Sequence, residues 1–247
     1  MTFTTQDMKK LQALMAESPE NRELLEKLLN HHQYSIGQIS HELRNPLALV
    51  YSTLQLIESS HPEVADIKHW YYMKEDIEYM KILLENLSSF NNSERLQLTE
   101  INIRSLMEHL VISFAASLTD TSIEFTSKIN PSLPQITGDK IKLQELFLNL
   151  LHNAKDAVGD CGAITLHAYQ EKKNIIIKIS DTGCGIAEED LSNIFHPFVT
   201  HKQGGSGLGL AIVQRVVHGH LGTIRAESTV NAGTDFIVSL PVYKDTQ

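Results

Sequence analysis

The sequence predicts two parts of different class: an N-terminal helical hairpin, then an α+β sandwich with helices on one face of a sheet. Three observations carry this reading. Apolar residues recur at helical spacing from Pro19 to about Ile57, and again in a 3-4-3-4-3 seam at Trp70, Met73, Ile77, Met80, Leu84 and Leu87. The polar stretch Asn91-Asn92-Ser93-Glu94-Arg95 marks a linker, after which the periodicity changes. The remainder mixes amphipathic helices with short strands and lacks regular βαβ alternation.

Taken in order, Ser18-Pro19 reads as an N-cap followed by proline at the first helical position. Ile36, Leu43, Leu47, Val50, Leu54 and Ile57 fall on one stripe of the first helix. Pro46 interrupts that pattern, removes one backbone hydrogen bond and predicts a bend close to His41. Ser59-Ser60-His61-Pro62 predicts a loop, and the seam from Trp70 to Leu87 the second helix of an antiparallel hairpin. One hairpin alone leaves much apolar surface exposed. Pairing two copies as a four-helix bundle buries it, so a homodimer is expected; packing of the hairpin on the rest of its own chain is the other solution.

Beyond the linker, Ile103 to Leu118 reads as a helix and Ile123 to Ile129 as a strand. Asp139 to Val158 is a strongly amphipathic helix. Ile164 to Tyr169 and Ile175 to Ser180 are strands, the second so continuously apolar that it belongs in the middle of a sheet. Gly207 to Leu221 reads as a helix, and Thr223 to Glu227 with Phe236 to Leu240 as a closing pair of strands. The expected division is a lead-in over 1–27, the hairpin over 28–95 and the sandwich over 96–247.

Bulk composition excludes several classes of function. At 247 residues, 42% hydrophobic and 21% charged, the chain is an ordinary globular one. Net charge is −9, without a basic cluster, which argues against nucleic acid and anionic membranes as partners. The two cysteines, Cys161 and Cys184, make neither a disulfide framework nor a zinc site, and the twelve histidines show no metal-ligand spacing. No apolar run is long enough for a transmembrane segment, and the N-terminus lacks the apolar core of a secretory signal, so the expected compartment is the cytoplasm.

Four stretches carry chemistry. In Ser40-His41-Glu42-Leu43-Arg44-Asn45-Pro46, His41 points away from the apolar stripe of its helix, with Glu42 beside it and Asn45 on the same outer face. An outward imidazole next to a carboxylate is placed to act as a nucleophile, although a lone histidine there is more often an ordinary surface residue. Asn149-Leu-Leu-His-Asn153-Ala-Lys-Asp156-Ala157 sets two carboxamides on one helix face, suited to an oxygen ligand or a hard cation, or equally to a cap or buried hydrogen bond. Asp181-Thr-Gly183-Cys-Gly185 follows the apolar strand, where two glycines let a ligand approach the backbone; an ordinary strand-ending turn has the same look. Gly204-Gly205-Ser206-Gly207-Leu208-Gly209-Leu210 leads into a helix whose free N–H groups attract phosphate, yet fits neither the Walker nor the dinucleotide pattern. Each stretch alone is a weak signal. Their order and spacing together are specific.

The ordered set resembles the catalytic core of bacterial two-component sensor histidine kinases, from about Leu28 to Val242. His41 to Pro46 is similar to that family's phospho-acceptor box, Asn149 to Ala157 to its asparagine box, and the two glycine stretches to its glycine boxes, with Phe195-His-Pro-Phe198 similar to its phenylalanine box. Thr200-His201-Lys202 resembles the short-lid versions of nitrogen-regulation and sporulation kinases. The resemblance implies a dimeric four-helix bundle followed by a Bergerat-type ATP-binding domain, with ATP and Mg2+ as cofactors. It implies that Asp181 holds the adenine amino group, Asn153 ligates Mg2+ with Asn149 beside it, and Thr234 assists adenine binding. Gly183 and Gly185 shape the adenine turn, while Gly205, Gly207, Leu208 and Gly209 close over the phosphates and Lys202 reaches the terminal one. His41 would then attack that phosphorus with Glu42 as proton acceptor, and Asn45 would orient water when the partner is dephosphorylated. The 91–95 linker is expected to act as a hinge.

Phosphohistidine then passes its group to an aspartate of a separate response regulator receiver domain, since the chain ends within a few residues of Pro241. No sensory module is evident before the hairpin, so the signal arrives through a partner or the chain is a fragment of a longer sensor. Two rivals stand beside the kinase: a GHKL-type conformational ATPase, and a non-catalytic ATP-binding dimeric scaffold. The ATPases sharing this fold carry a glutamate four residues before the metal-binding asparagine, where this chain has Asn149, and a carboxamide cannot abstract a proton.

Overall fold

Ser18 accepts a hydrogen bond at Oγ from the Asn21 N–H (3.0 Å), capping a helix whose first residue is proline. That helix, α1 (Pro19–Ser60), runs unbroken through Pro46. The predicted loop after it winds at once into a 3-10 turn (Pro62–Asp66) before α2 (Lys68–Asn92). The computed structural model describes residue 14 and residues 18–93, 96–202 and 205–242, without the side chains of residues 26, 28–36, 41 and 68. Most of the predicted lead-in, and Glu94 and Arg95 of the predicted hinge, thus lie outside the described residues. No described helix is long and apolar enough to cross a membrane.

The chain divides into two compact units, Met1–Asn91 and Asn92–Gln247. Within the first, the Lys74 ammonium meets the Glu58 carboxylate at 2.6 Å and ties α2 to α1. Among its described large apolar residues only Leu54 and Ile77 are buried, while Leu43, Val50, Met73 and Met80 of the predicted stripes stand exposed.

The second unit holds a five-stranded sheet and a two-stranded ribbon. Its elements are β1 (Thr99–Asn102), α3 (Ile103–Ala116), β2 (Ser122–Ile129), β3 (Gln135–Gly138), α4 (Lys140–Val158), β4 (Cys161–Glu171) and β5 (Asn174–Asp181). A short α5 (Glu188–Leu191), α6 (Gly209–Gly219), β6 (Thr223–Thr229) and β7 (Gly233–Pro241) complete it. The sheet has the order β2-β4-β5-β7-β6 and the ribbon pairs β1 with β3, so the predicted central strand, β5, is central. β2 and β4 run parallel and the other neighbours antiparallel. The ribbon and α5 have no counterpart in the sequence reading, because four residues are too few to display a period.

Side-chain alternation explains which residues face the helices. Ile164, Leu166 and Ala168 of β4, Ile175, Ile177 and Ile179 of β5, and Phe236, Val238 and Leu240 of β7 are buried on one face. In register, Ile179 lies between Leu166 and Phe236, and Ile177 between Ala168 and Val238. Continuing the period by two brings Asp181 and its cross-strand partner Thr234 onto that same apolar face. Both are buried, Asp181 at 7% exposure and Thr234 at 4%.

One polar node pins the helices above the sheet. Asp139 caps α4: its Oδ1 accepts from the Ile141 and Lys142 N–H groups (3.0 and 3.1 Å), and its Oδ2 from the Gln97 N–H (2.8 Å). Its own N–H donates to Nε2 of His220 (2.9 Å), the residue that ends α6, and His220 Nδ1–H donates to the Val216 carbonyl (2.7 Å). An accepting Nε2 and a donating Nδ1 define a neutral imidazole. Burial pushes the His220 pKa down. Burial pushes the Asp139 carboxyl up, but the Gln97, Lys142 and Ile141 donors outweigh it and hold the group below its ordinary value.

Both groups are depressed, so each contributes stability that is present at neutral pH and lost on acidification. The loss begins below the ordinary histidine value of 6.5 for His220 and below 3.8 for Asp139. Chemical unfolding followed by circular dichroism should show stability falling as the pH drops from 7 to 5, and His220→Gln should flatten that fall. Asp139→Ala should cost about 1–2 kcal/mol at neutral pH through the lost cap. An acid profile unchanged by His220→Gln would remove the node from this account.

Candidate nucleotide-binding site

Helix α4 is divided lengthwise by its sequence. Leu143, Leu146, Phe147, Leu150, Leu151 and Ala154 are wholly buried against the sheet and its neighbours. Asn149, Asn153 and Asp156 follow one another at intervals of four and three, so they form one polar ridge beside that core. Lys202 reaches the ridge from the segment before α6: its Nζ donates to Asn153 Oδ1 at 3.1 Å and to Asp156 Oδ2 at 2.8 Å. Asn149 adjoins the start of α6, where a Cβ added to Gly209 would lie 3.4 Å from the Asn149 Oδ1.

The N-terminus of α6 has no side-chain cap, which leaves its first N–H groups available to an anion. Leading into it, Gly207 adopts φ +65°, and a Cβ there would lie 2.5 Å from the Phe198 carbonyl carbon. The Gly207 carbonyl accepts the Phe198 N–H (2.9 Å), the Gly205 N–H donates to the Lys202 carbonyl (3.1 Å), and Leu208 is buried. Gly204, the predicted start of this turn, lies outside the described residues.

At the other end of the ridge stands Asp181. Its Oδ1 accepts the Gly183 N–H (2.8 Å) and the Thr234 N–H (3.3 Å), and its Oδ2 takes no hydrogen bond from the described residues. The turn that follows is bound to α4 by the Cys184 N–H on the Ala157 carbonyl (3.1 Å), and any side chain at Gly183 would collide with Ala157. Ser228 supports it from β6, taking the Ile186 N–H (2.8 Å), donating to the Gly233 carbonyl (2.9 Å) and meeting the Thr234 hydroxyl (2.9 Å). Burial pushes the Asp181 carboxyl up, against the two backbone N–H donors that favour its charged form.

The structure therefore brings Asn149, Asn153, Lys202, Gly207, Leu208 and Gly209 to one side of α4, and Asp181, Gly183, Gly185 and Thr234 to the turn beyond its C-terminal half. Glu42 and Asn45 lie exposed on α1; His41 is within the same helix, and its side chain lies outside the described residues. The sequence reading passed over two contributors. Asp156 continues the asparagine spacing by three and was visible on that ground; Ser228 gave no signal.

The ridge fits a cation. Two side-chain oxygens, from Asn153 and Asp156, converge on one ammonium group, and oxygen donors suit a hard divalent ion such as Mg2+. Among the described residues no three His, Cys, Asp or Glu side chains gather to hold a metal alone. Such an ion would complete its shell with phosphate oxygens and water, as Mg2+ habitually does.

Because the ionised Asp181 carboxylate is held in a desolvated place, its raised pKa means that this one group's contribution to stability is fullest below 3.8 and is lost as the pH rises through the folded value. Asp181→Asn should match or exceed the wild-type thermal midpoint at pH 7, with the gap closing on acidification. The same variant should lose at least about tenfold in affinity for an adenine nucleotide, by calorimetry. A destabilised variant that still binds nucleotide would contradict both halves.

Residues 138–244 match the histidine kinase-, DNA gyrase B- and HSP90-like ATPase family. Over 208 residues the chain is 29% identical to the signal transduction histidine-protein kinase AtoS of Escherichia coli K12, covering 83% of this chain and 34% of that protein. It is 30% identical over 226 residues to the sensory histidine kinase/phosphatase NtrB of Azospirillum brasilense, covering 85% and 56% respectively. Thus the chain spans between a third and three-fifths of the length of these relatives. Its fold matches full-length ShkA in complex with AMPPNP with a TM-score of 0.74, at 24% identity over 84% of this chain and 45% of that one. Residues 138–244 thus match the histidine kinase-, gyrase B- and HSP90-like ATPase domain, and over most of its length the chain is similar to sensor histidine kinases.

Proposed function

We propose that this chain is an ATP-dependent protein-histidine kinase that phosphorylates its own His41 and passes the phosphoryl group to an aspartate of a separate response regulator. In this reading residues 28–95 form the dimerisation and phosphotransfer domain and residues 96–247 the ATP-binding domain. The observation that carries it over a conformational ATPase is the ridge of α4. One turn before Asn153 stands Asn149, an amide set against the α6 N-terminus, and the nearby Asp156 carboxylate is engaged by Lys202. Neither is free to deprotonate water. The acceptor is then a side chain, and His41 is the candidate with a carboxylate, Glu42, next to it.

Phosphoryl transfer needs charge neutralisation and in-line positioning more than covalent help. Bound Mg2+ supplies neutralisation at the phosphates. Asp181 selects adenine, its Oδ2 accepting from the exocyclic amino group, and Thr234 and Gly183 keep that carboxylate fixed. Asn153 offers Oδ1 to the cation, and the uncapped start of α6 offers N–H groups to phosphate. The His41 imidazole bonds to the terminal phosphorus as the bond to the bridging oxygen breaks and ADP leaves. Glu42 takes the imidazole proton. Asn45, one turn on and exposed, is suited to hold water against a phosphorylated regulator, the second activity in the name of the relative NtrB.

The bare hairpin supports dimerisation. Leu43, Val50, Met73 and Met80 are between 39% and 51% exposed, a surface that a second hairpin would cover. Incubation with γ-labelled ATP tests the activity: the label should appear on the protein, resist base, wash out in acid and vanish in His41→Gln. Steady phosphate release with no labelled protein would establish the ATPase instead.

A further inference from the structure

We propose that Asp156 is a positioning residue: its carboxylate holds the Lys202 ammonium on the Asn153 side-chain oxygen, so that lysine and divalent cation occupy this point as alternatives. The inference rests on the nucleotide and cation reading of the site and deepens it. Lys202 comes from 49 residues beyond Asn153 and 46 beyond Asp156, yet its Nζ lies within hydrogen-bond reach of both. Asp156 has no other ion-pair partner among the described residues. The spacing of Asn153 and Asp156 on one turn aims both oxygens at one point, and the lysine fills it.

An ammonium and a divalent cation cannot share one carboxamide oxygen, because their charges would lie within a few ångströms of each other. Entry of the cation therefore expels Lys202 from Asn153. Asp156 limits how far it withdraws, leaving the ammonium beside the phosphates that the cation brings. The strength of the contact suits that exchange. Lys202 and Asp156 are 44% and 56% exposed, and an exposed pair is worth a factor of about two to five, enough to bias the site and too little to close it. A buried pair at this place would block the cation.

The full chain tests this in two measurements. Brief acetylation of the nucleotide-free protein, read by mass spectrometry, should find Lys202 slower to react than the exposed Lys128. Asp156→Asn should raise the Lys202 rate, and Asp156→Glu should restore protection; a helix-packing role for Asp156 would leave these rates unmoved. In titrations with a fluorescent ADP analogue, Lys202→Met should lower the Mg2+ concentration for half-maximal binding by about two- to fivefold. An unchanged or higher Mg2+ midpoint in Lys202→Met, with nucleotide still bound by the wild type, overturns this inference alone. Failure of the wild type to bind Mg2+ with ADP at all overturns the functional reading beneath it as well.

Discussion

The lengthwise division of α4 is the constraint on which the second unit depends. Its apolar residues must face the sheet, since they form the largest block of wholly buried side chains on one element among the described residues. Burying the four leucines and the phenylalanine among them is worth roughly 8–15 kcal/mol before conformational entropy is charged against it. That requirement fixes the rotation of the helix about its axis, and with it the direction of every other residue on it. Asn149, Asn153 and Asp156 face the segment before α6 because Phe147, Leu150 and Ala154 face inward. The chemistry of the ridge is a consequence of packing.

Asp181 reaches its place through a different periodicity with the same logic. A strand that buries Ile175, Ile177 and Ile179 must turn residue 181 to the same side. An apolar residue there would continue the core. A carboxylate instead is desolvated, which pushes its pKa up, while the Gly183 and Thr234 N–H groups favour its charged form. Stability is given up at that position for a fixed acceptor at the end of the central strand. The Asp139–His220 node works in the opposite sense, since each of its polar groups finds a partner and together they set α6 against α4.

Much of this was legible in the chain. The apolar run before Asp181 gave the central strand, and the amphipathic pattern from Asp139 gave the start of α4 to within one residue. The glycine turns and asparagines stood out by type and spacing. What escaped notice is non-local. His220 meets Asp139 across 81 positions and Lys202 meets Asp156 across 46, and no periodicity links residues that far apart. The β1–β3 ribbon was hidden for a simpler reason: each strand is four residues long, with one residue of β1 and two of β3 buried. In the hairpin, the stripe and the seam predicted the two helices correctly, but Leu43, Val50, Met73 and Met80, left exposed in a single chain, show why a helical period alone does not tell which apolar residues form a core.

The most direct test of the central claim is a crystal structure of this chain with Mg2+ and a non-hydrolysable ATP analogue. The account predicts the adenine amino group on Asp181 Oδ2, the cation on Asn153 Oδ1 and the phosphates at the first turn of α6. A nucleotide bound elsewhere, or a cation held without the α4 ridge, would contradict it.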